Sequence, residues 1–241
     1  MPKEYIQFIS DLKEEADNPF LGETQSQVLS FLTESDLVNI YAEWLSKGKP
    51  CDRVTQNGFI FEIFSRRFTE NKEPNPKFLQ SVKLTLMFLF DGENQRHIWN
   101  DERSTPDDLV LGYTSHSLEI TKIVECKISS HAIKSSYHQK ESTKNTVKSL
   151  VSVLNGNYHE IKNEFGKNII TTAREKIRKV CTLPINLSSD YKYVYVLPSD
   201  QQYVSHNPKD TNLEVINLPF SASDIDSFRE WYFTYLTKVN L

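Results

Sequence analysis

The sequence predicts a mixed α/β domain, with helices first, then three strands, further helices and another strand. Three observations predict it. Apolar residues recur at helical spacing through the first third and again beyond residue 147. The middle holds apolar and β-branched runs bounded by turn signals. The 241 residues, 38% hydrophobic and 25% charged, have the balance of a globular chain that can bury a sizeable core.

Taken in order, Ile6, Ile9 and Leu12 mark a short amphipathic stretch. Leu37, Ile40, Tyr41, Trp44 and Leu45 mark a second helix, with Ser35 as its N-cap and Gly48 just past its end. A third spans about 58–68 (GFIFEIFSRRF), apolar on nearly every side and so expected to be buried. SVKLTLMFLF, Ser81 to Phe90, is a strand ending at the Asp91-Gly92 turn signal. Asp108 to Tyr113 and Leu118 to Ile128 are strands joined by a few polar residues, the pattern of an antiparallel hairpin. Helix returns with Val147, Leu150, Val151 and Leu154, then with Ile161, Phe165, Ile169, Ala173 and Ile177. Tyr191 to Pro198 and Leu213 to Leu218 are strands. In the closing helix Ser223 and Asp226 resemble a capping box, and Phe228, Trp231, Tyr232, Tyr235 and Leu236 share an apolar face that reads as core packing. Residues 1–49 form an N-terminal helical segment and 50–241 the main domain, together one compact unit.

The longest apolar run, Leu84 to Phe90, is too short to cross a bilayer, and the first residues lack the pattern of a signal peptide. Cys51, Cys126 and Cys181 are odd in number and far apart, which argues for reduced thiols and against a disulfide framework or a cysteine zinc site. A cytoplasmic protein without membrane contact is expected. His131 and His138 match no zinc spacing, and the seven glycines form no phosphate-binding loop. The net charge of −4 conceals an asymmetry. Residues 120–180 carry 12 Lys and Arg against 5 Glu and no Asp, while the rest carries 16 basic and 27 acidic side chains. A basic middle suits one polyanion-binding face, or a solvated lysine-rich helix face.

Two carboxylates and a lysine converging on one point are the minimal set for metal-assisted phosphodiester hydrolysis. The cation neutralises phosphate charge and lowers the pKa of the attacking water, and the lysine orients or deprotonates that water. Mg²⁺ needs only one or two protein carboxylates. Acid-x-Lys occurs five times, at Asp11/Lys13, Glu70/Lys72, Glu125/Lys127, Glu160/Lys162 and Asp190/Lys192. Only Glu125/Lys127 ends an apolar strand, follows an acid-headed strand (PDDLVL) and precedes a lysine-rich segment. Strand parity puts Glu125 and Lys127 on one face. Asp108 heads the paired strand, and the backbone carbonyl of Cys126 adds a further oxygen.

Pro106-Asp107/Asp108 followed by Glu125-Cys126-Lys127 resembles the motif of the PD-(D/E)XK nucleases, the superfamily of many type II restriction endonucleases, Holliday-junction resolvases and repair nucleases. The resemblance covers about 140 residues, from Gly58 to Pro198. It implies a restriction-endonuclease-like core, a central mixed β-sheet flanked by helices, here with an N-terminal helical extension. It implies Mg²⁺ held by Asp108, Glu125 and the Cys126 carbonyl, with Lys127 positioning the water. Asp108 is preferred to Asp107 because the family's aspartate usually directly precedes the apolar strand residues, here Leu109, Val110 and Leu111. A glutamate on the first core helix matches Glu62. The activity implied is Mg²⁺-dependent cleavage of double-stranded DNA by a homodimeric restriction endonuclease. A structure-selective, resolvase-like nuclease and a non-catalytic nucleic-acid-binding protein of the same fold are the alternatives.

Plainer readings stand beside these. Glu125 and Lys127 would also serve as an exposed cross-strand charge pair. Asp108 would cap a turn after Pro106, and Glu62 would pair with Arg66 one helical turn later. The segment 129–146 and its flank offer Lys134, Tyr137, His138, Gln139, Lys140, Lys144 and Lys148 as DNA contacts, or form an ordinary surface loop.

Overall fold

The computed structural model describes residues 22–46, 52–72, 77–79, 106–113, 116–135, 184–203 and 211–238, with single positions between 7 and 14 and between 140 and 155. Three helices open the described chain: α1 (Glu23–Phe31), α2 (Glu34–Ser46) and α3 (Arg53–Lys72). The strands follow as β1 (Lys77–Leu79), β2 (Asp108–Tyr113) and β3 (Leu118–Cys126), then the short helix α4 (Ser130–Ser135). β4 (Ile185–Leu197), β5 (Leu213–Asn217) and α5 (Ala222–Lys238) complete the order. The expected strand over 81–90, the helix through Ile161 and Ile177, and Gly48 lie outside the described residues.

Helix starts are set by side chains that satisfy the orphan N–H groups of a first turn. α1 was not among the expected helices, and its N-cap, Gly22, offers no side-chain acceptor. The N-cap of α2 is Thr33 rather than Ser35. Thr33 Oγ1 accepts the Asp36 N–H at 3.3 Å, and Asp36 Oδ2 accepts the Thr33 N–H at 2.8 Å, a reciprocal box. Ser35 falls inside the first turn. Asp52 caps α3 through the Thr55 N–H at 3.0 Å, so the helix starts at Arg53, five residues before the expected start at Gly58. At α5 the box is Ser221 with Asp224, two residues before the expected pair. Ser221 Oγ accepts the Asp224 N–H at 3.1 Å, and Asp224 Oδ2 accepts the Ser221 N–H at 2.9 Å. Asp226 instead accepts from Arg53, Asn57 and Arg229, which joins α5 to α3.

The five strands lie in the order β1-β2-β3-β4-β5. β1–β2 and β2–β3 are antiparallel, the latter the expected hairpin, while β3–β4 and β4–β5 are parallel. The result is an α/β fold on a mixed sheet. On one face Val110, Val124, Val194 and Val196 pack against Val28, Ile40, Phe61, Phe64, Phe228 and Tyr232 of α1, α2, α3 and α5. On the other, Leu109, Ile123, Tyr193 and Tyr195 pack against Ile133 of α4 and Val147. Alternate residues of the second half of β4 thus enter opposite cores, so Tyr193 to Leu197 is a continuous buried run. A register shift beside Thr121 lets Ile120 and Ile123, three residues apart, enter the same core.

The helices of the first 49 residues share the core of α3 and α5. The Tyr232 hydroxyl donates to the Leu37 carbonyl at 2.7 Å, and Trp44 meets Phe233 with ring centroids 5.3 Å apart. Phe64 is fully buried, with Phe31, Phe220 and Phe228 within 6.0 Å between centroids. Among the described residues no helix is long and apolar enough to cross a membrane. Because Phe64 meets aromatic rings from α1, α5 and the loop before α5, truncating it opens a cavity shared by all three. Phe64→Ala is expected to cost about 3–5 kcal/mol, measured by urea unfolding.

Candidate functional site

The end of β3 carries Glu125 and Cys126, with Lys127 one residue beyond. The Lys127 N–H donates to the Val196 carbonyl at 3.0 Å, so the ladder with β4 continues past the strand end and fixes this backbone. Glu125 is 2% exposed and shares a face with Ile123. Its Oε2 lies 3.0 Å from Lys127 Nζ. Its Oε1 accepts from Thr143 Oγ1 at 3.2 Å and from the Tyr193 hydroxyl at 3.3 Å. Burial pulls the Lys127 ammonium down, but Glu125 and Asp107 outweigh it and hold the pKa above the ordinary lysine value. Lys127 therefore stays charged.

Pro106, Asp107 and Asp108 bring the second acid. Asp108 pairs in register with Val124, whose side chain faces the α3 side. There Asp108 is 1% exposed and meets Arg66, whose Nη2 donates at 3.1 Å and Nε at 3.3 Å. Burial pushes its carboxyl up to about 7 despite the pull of Arg66. Asp107 stands just before β2 and grips β3 at two points. Its N–H donates to the Val124 carbonyl at 3.0 Å, and its Oδ2 accepts the Cys126 N–H at 2.6 Å. Burial of the carboxyl comes first, and the charges of Glu125 and Glu62 add to it, so its pKa lies well above the usual aspartate value. Part of the residue still reaches solvent.

The structure pairs Glu125 with Lys127, and the charges of both reach Asp107, as does that of Glu62 on α3. It sends Asp108, the aspartate favoured from the motif, to Arg66. Arg66, the residue one turn after Glu62 on α3, forms an ion pair with Asp108. The charge of Glu62 bears on Asp107, Asp108 and the Cys126 thiol. That thiol is driven well up, first by burial and then by Asp107, which leaves it an inert neutral group.

Of the expected DNA contacts, the side chains of Lys134, Tyr137, His138 and Gln139 lie outside the described residues. Lys140 is turned inward. It is 8% exposed, donates to Asn212 Oδ1 at 3.4 Å and lies 5.7 Å above the Tyr193 ring. Lys144 lies 3.5 Å from Glu141, and Lys148 is exposed. Thr143 and Tyr193 were missed in the sequence. Their signal was the helical face through Val147 and Val151, which reaches Thr143 and Lys140 when extended backwards, and the alternation of YKYVYVLP.

Among the described residues no three Asp, Glu, His or Cys side chains form a ready-made metal site. The donor chemistry nevertheless fits a hard divalent cation. Asp107 and Glu125 are oxygen donors with their charges in mutual repulsion, and two carboxylates with water suffice for Mg²⁺. Of about four lone-pair positions on Glu125, three face described donors, which leaves room on Oε2 for one more partner.

Comparison with protein-family models, with curated proteins and with solved structures finds no match to this chain.

Removing the Asp107 charge and removing the Arg66 partner of Asp108 are expected to shift stability in opposite directions. The raised pKa of Asp107 means that its stabilising contribution is present below about pH 4 and lost as pH rises through the folded-state value. Asp107→Asn should therefore raise the melting temperature in EDTA at pH 8. Arg66→Ala should lower it, at a cost of about 3 kcal/mol at pH 8 and less at pH 6, where Asp108 takes up a proton. Thermal denaturation at both pH values checks each sign.

Proposed function

We propose that the chain is a Mg²⁺-dependent DNA endonuclease of the PD-(D/E)XK kind, acting on double-stranded DNA as a cytoplasmic homodimeric restriction enzyme. One observation carries the reading: Asp107 bonds the Cys126 N–H, between Glu125 and Lys127, which are themselves 3.0 Å apart, and the charges of Glu125, Lys127 and Glu62 all act on it. The order helix, three strands, helix, strand supports it. In this reading Asp107 takes the place that the motif alone gave to Asp108, because Asp107 is the aspartate that feels Glu125 and Lys127.

Asp107, Glu125 and the Cys126 carbonyl would hold the cation. The bound ion supplies charge neutralisation at the phosphate and a lowered pKa for the attacking water. The remaining work falls to the chain. Lys127, kept protonated by its two acidic neighbours, orients the water with an N–H and places a fixed positive charge against the phosphate oxygens. Glu125 fixes where that ammonium stands, through the 3.0 Å contact. The wall of Tyr193, Thr143 and Ile123 keeps solvent away from the inner side of Glu125, where a charge interaction is stronger than in water. Attack in line with the leaving oxygen completes hydrolysis.

Supercoiled plasmid incubated with Mg²⁺ is expected to give discrete linear fragments. Cleavage should vanish with EDTA and fall at least about 100-fold in Glu125→Ala. Cutting confined to branched DNA would contradict the restriction reading. Binding without any cleavage would contradict the enzymatic one.

A further inference from the structure

Glu125 has two hydroxyl donors that no motif names, and they come from different parts of the fold. Thr143 belongs to the helical stretch after α4, and Tyr193 to β4. Both converge on Oε1, at 3.2 and 3.3 Å, while Oε2 is left to Lys127. We infer that Thr143 and Tyr193 are positioning residues that hold Oε1 of Glu125 inward and so present Oε2 to a divalent cation beside Lys127. The inference rests on the metal-binding reading of Glu125 proposed above.

A carboxylate held by a single hydrogen bond turns easily, because its terminal torsion is broad. Two donors on Oε1 remove that freedom. Neither donor competes with water: Thr143 is 0% and Tyr193 1% exposed. Losing either one leaves a charged oxygen under-satisfied in a low-dielectric setting. Tyr193 is itself held in place. Lys140 lies over its ring, and Tyr195 meets it edge-on with centroids 5.4 Å apart. The inward-facing Lys140 thus acts from the same helical stretch as Thr143, two layers behind the cation.

Partners of this kind behind a metal ligand are worth about 10–100-fold in metal affinity. The test is Mn²⁺ titration of the full chain, read by electron paramagnetic resonance, for the wild type, Tyr193→Phe, Thr143→Val and Thr143→Ser. Tyr193→Phe and Thr143→Val should each weaken Mn²⁺ binding about tenfold or more. Thr143→Ser, which keeps the hydroxyl, should stay near the wild type. The Mg²⁺ concentration for half-maximal cleavage should rise in step, with KM for DNA unchanged. If both deletion variants bind Mn²⁺ as the wild type does while melting at a lower temperature, the two hydroxyls only satisfy a buried acid and the inference fails. Tyr193→Phe removes a single atom and decides alone if Thr143→Val does not fold. A wild type that takes up no Mn²⁺ overturns the metal reading of Glu125 and the inference with it.

Discussion

Asp107 holds the end of β3 with its backbone N–H on the Val124 carbonyl and its carboxylate on the Cys126 N–H. This pair of bonds fixes where β2 begins against β3, and the register that follows sets Asp108 opposite Val124. Because side chains alternate faces, a slip of one residue would turn Asp108 away from α3 and from Arg66. The carboxylates at the site, the Arg66–Asp108 contact and the approach of Glu62 all depend on this one register. The continuation of β3 into β4, through the Lys127 N–H and Val196, holds the other side of the same point.

The arrangement is poorly balanced in charge. Glu125 and Glu62 act on Asp107, and Glu62 on Asp108, against Arg66 and Lys127. Arg66 sits on Asp108 and Lys127 on Glu125, while the relief of Asp107 comes from the Cys126 N–H and from Lys127 at longer range. A fold selected for stability alone would not bury that carboxyl beside two others. Such mutual repulsion is what a bound cation removes, and functional sites commonly carry this kind of local cost.

Much of the architecture was legible in the sequence. The apolar spacing of α2, α3 and α5 and the strand runs of β2, β3 and β4 gave the α/β class, and parity placed Glu125 and Lys127 on one face. The boundaries were less legible. Thr33, Asp52 and Ser221 are the caps, and each stands outside the apolar pattern that suggested a start. Helix α1 has little to announce it, with one buried residue, Val28, and no side-chain cap. Which of the two aspartates meets Arg66 was beyond the sequence for a physical reason. It depends on the cross-strand register, which the bonds of Asp107 to β3 create and which no local pattern encodes. Thr143 and Tyr193 reach Glu125 only through tertiary packing across 18 and 68 residues of chain.

The most direct test of the central claim is where a divalent cation binds. Crystals soaked in Mn²⁺ should give an anomalous peak about 2.1–2.2 Å from oxygens of both Asp107 and Glu125, with the Arg66–Asp108 pair undisturbed. A peak on Asp108 with Arg66 displaced, or no peak at this sheet end at saturating Mn²⁺, would contradict the account.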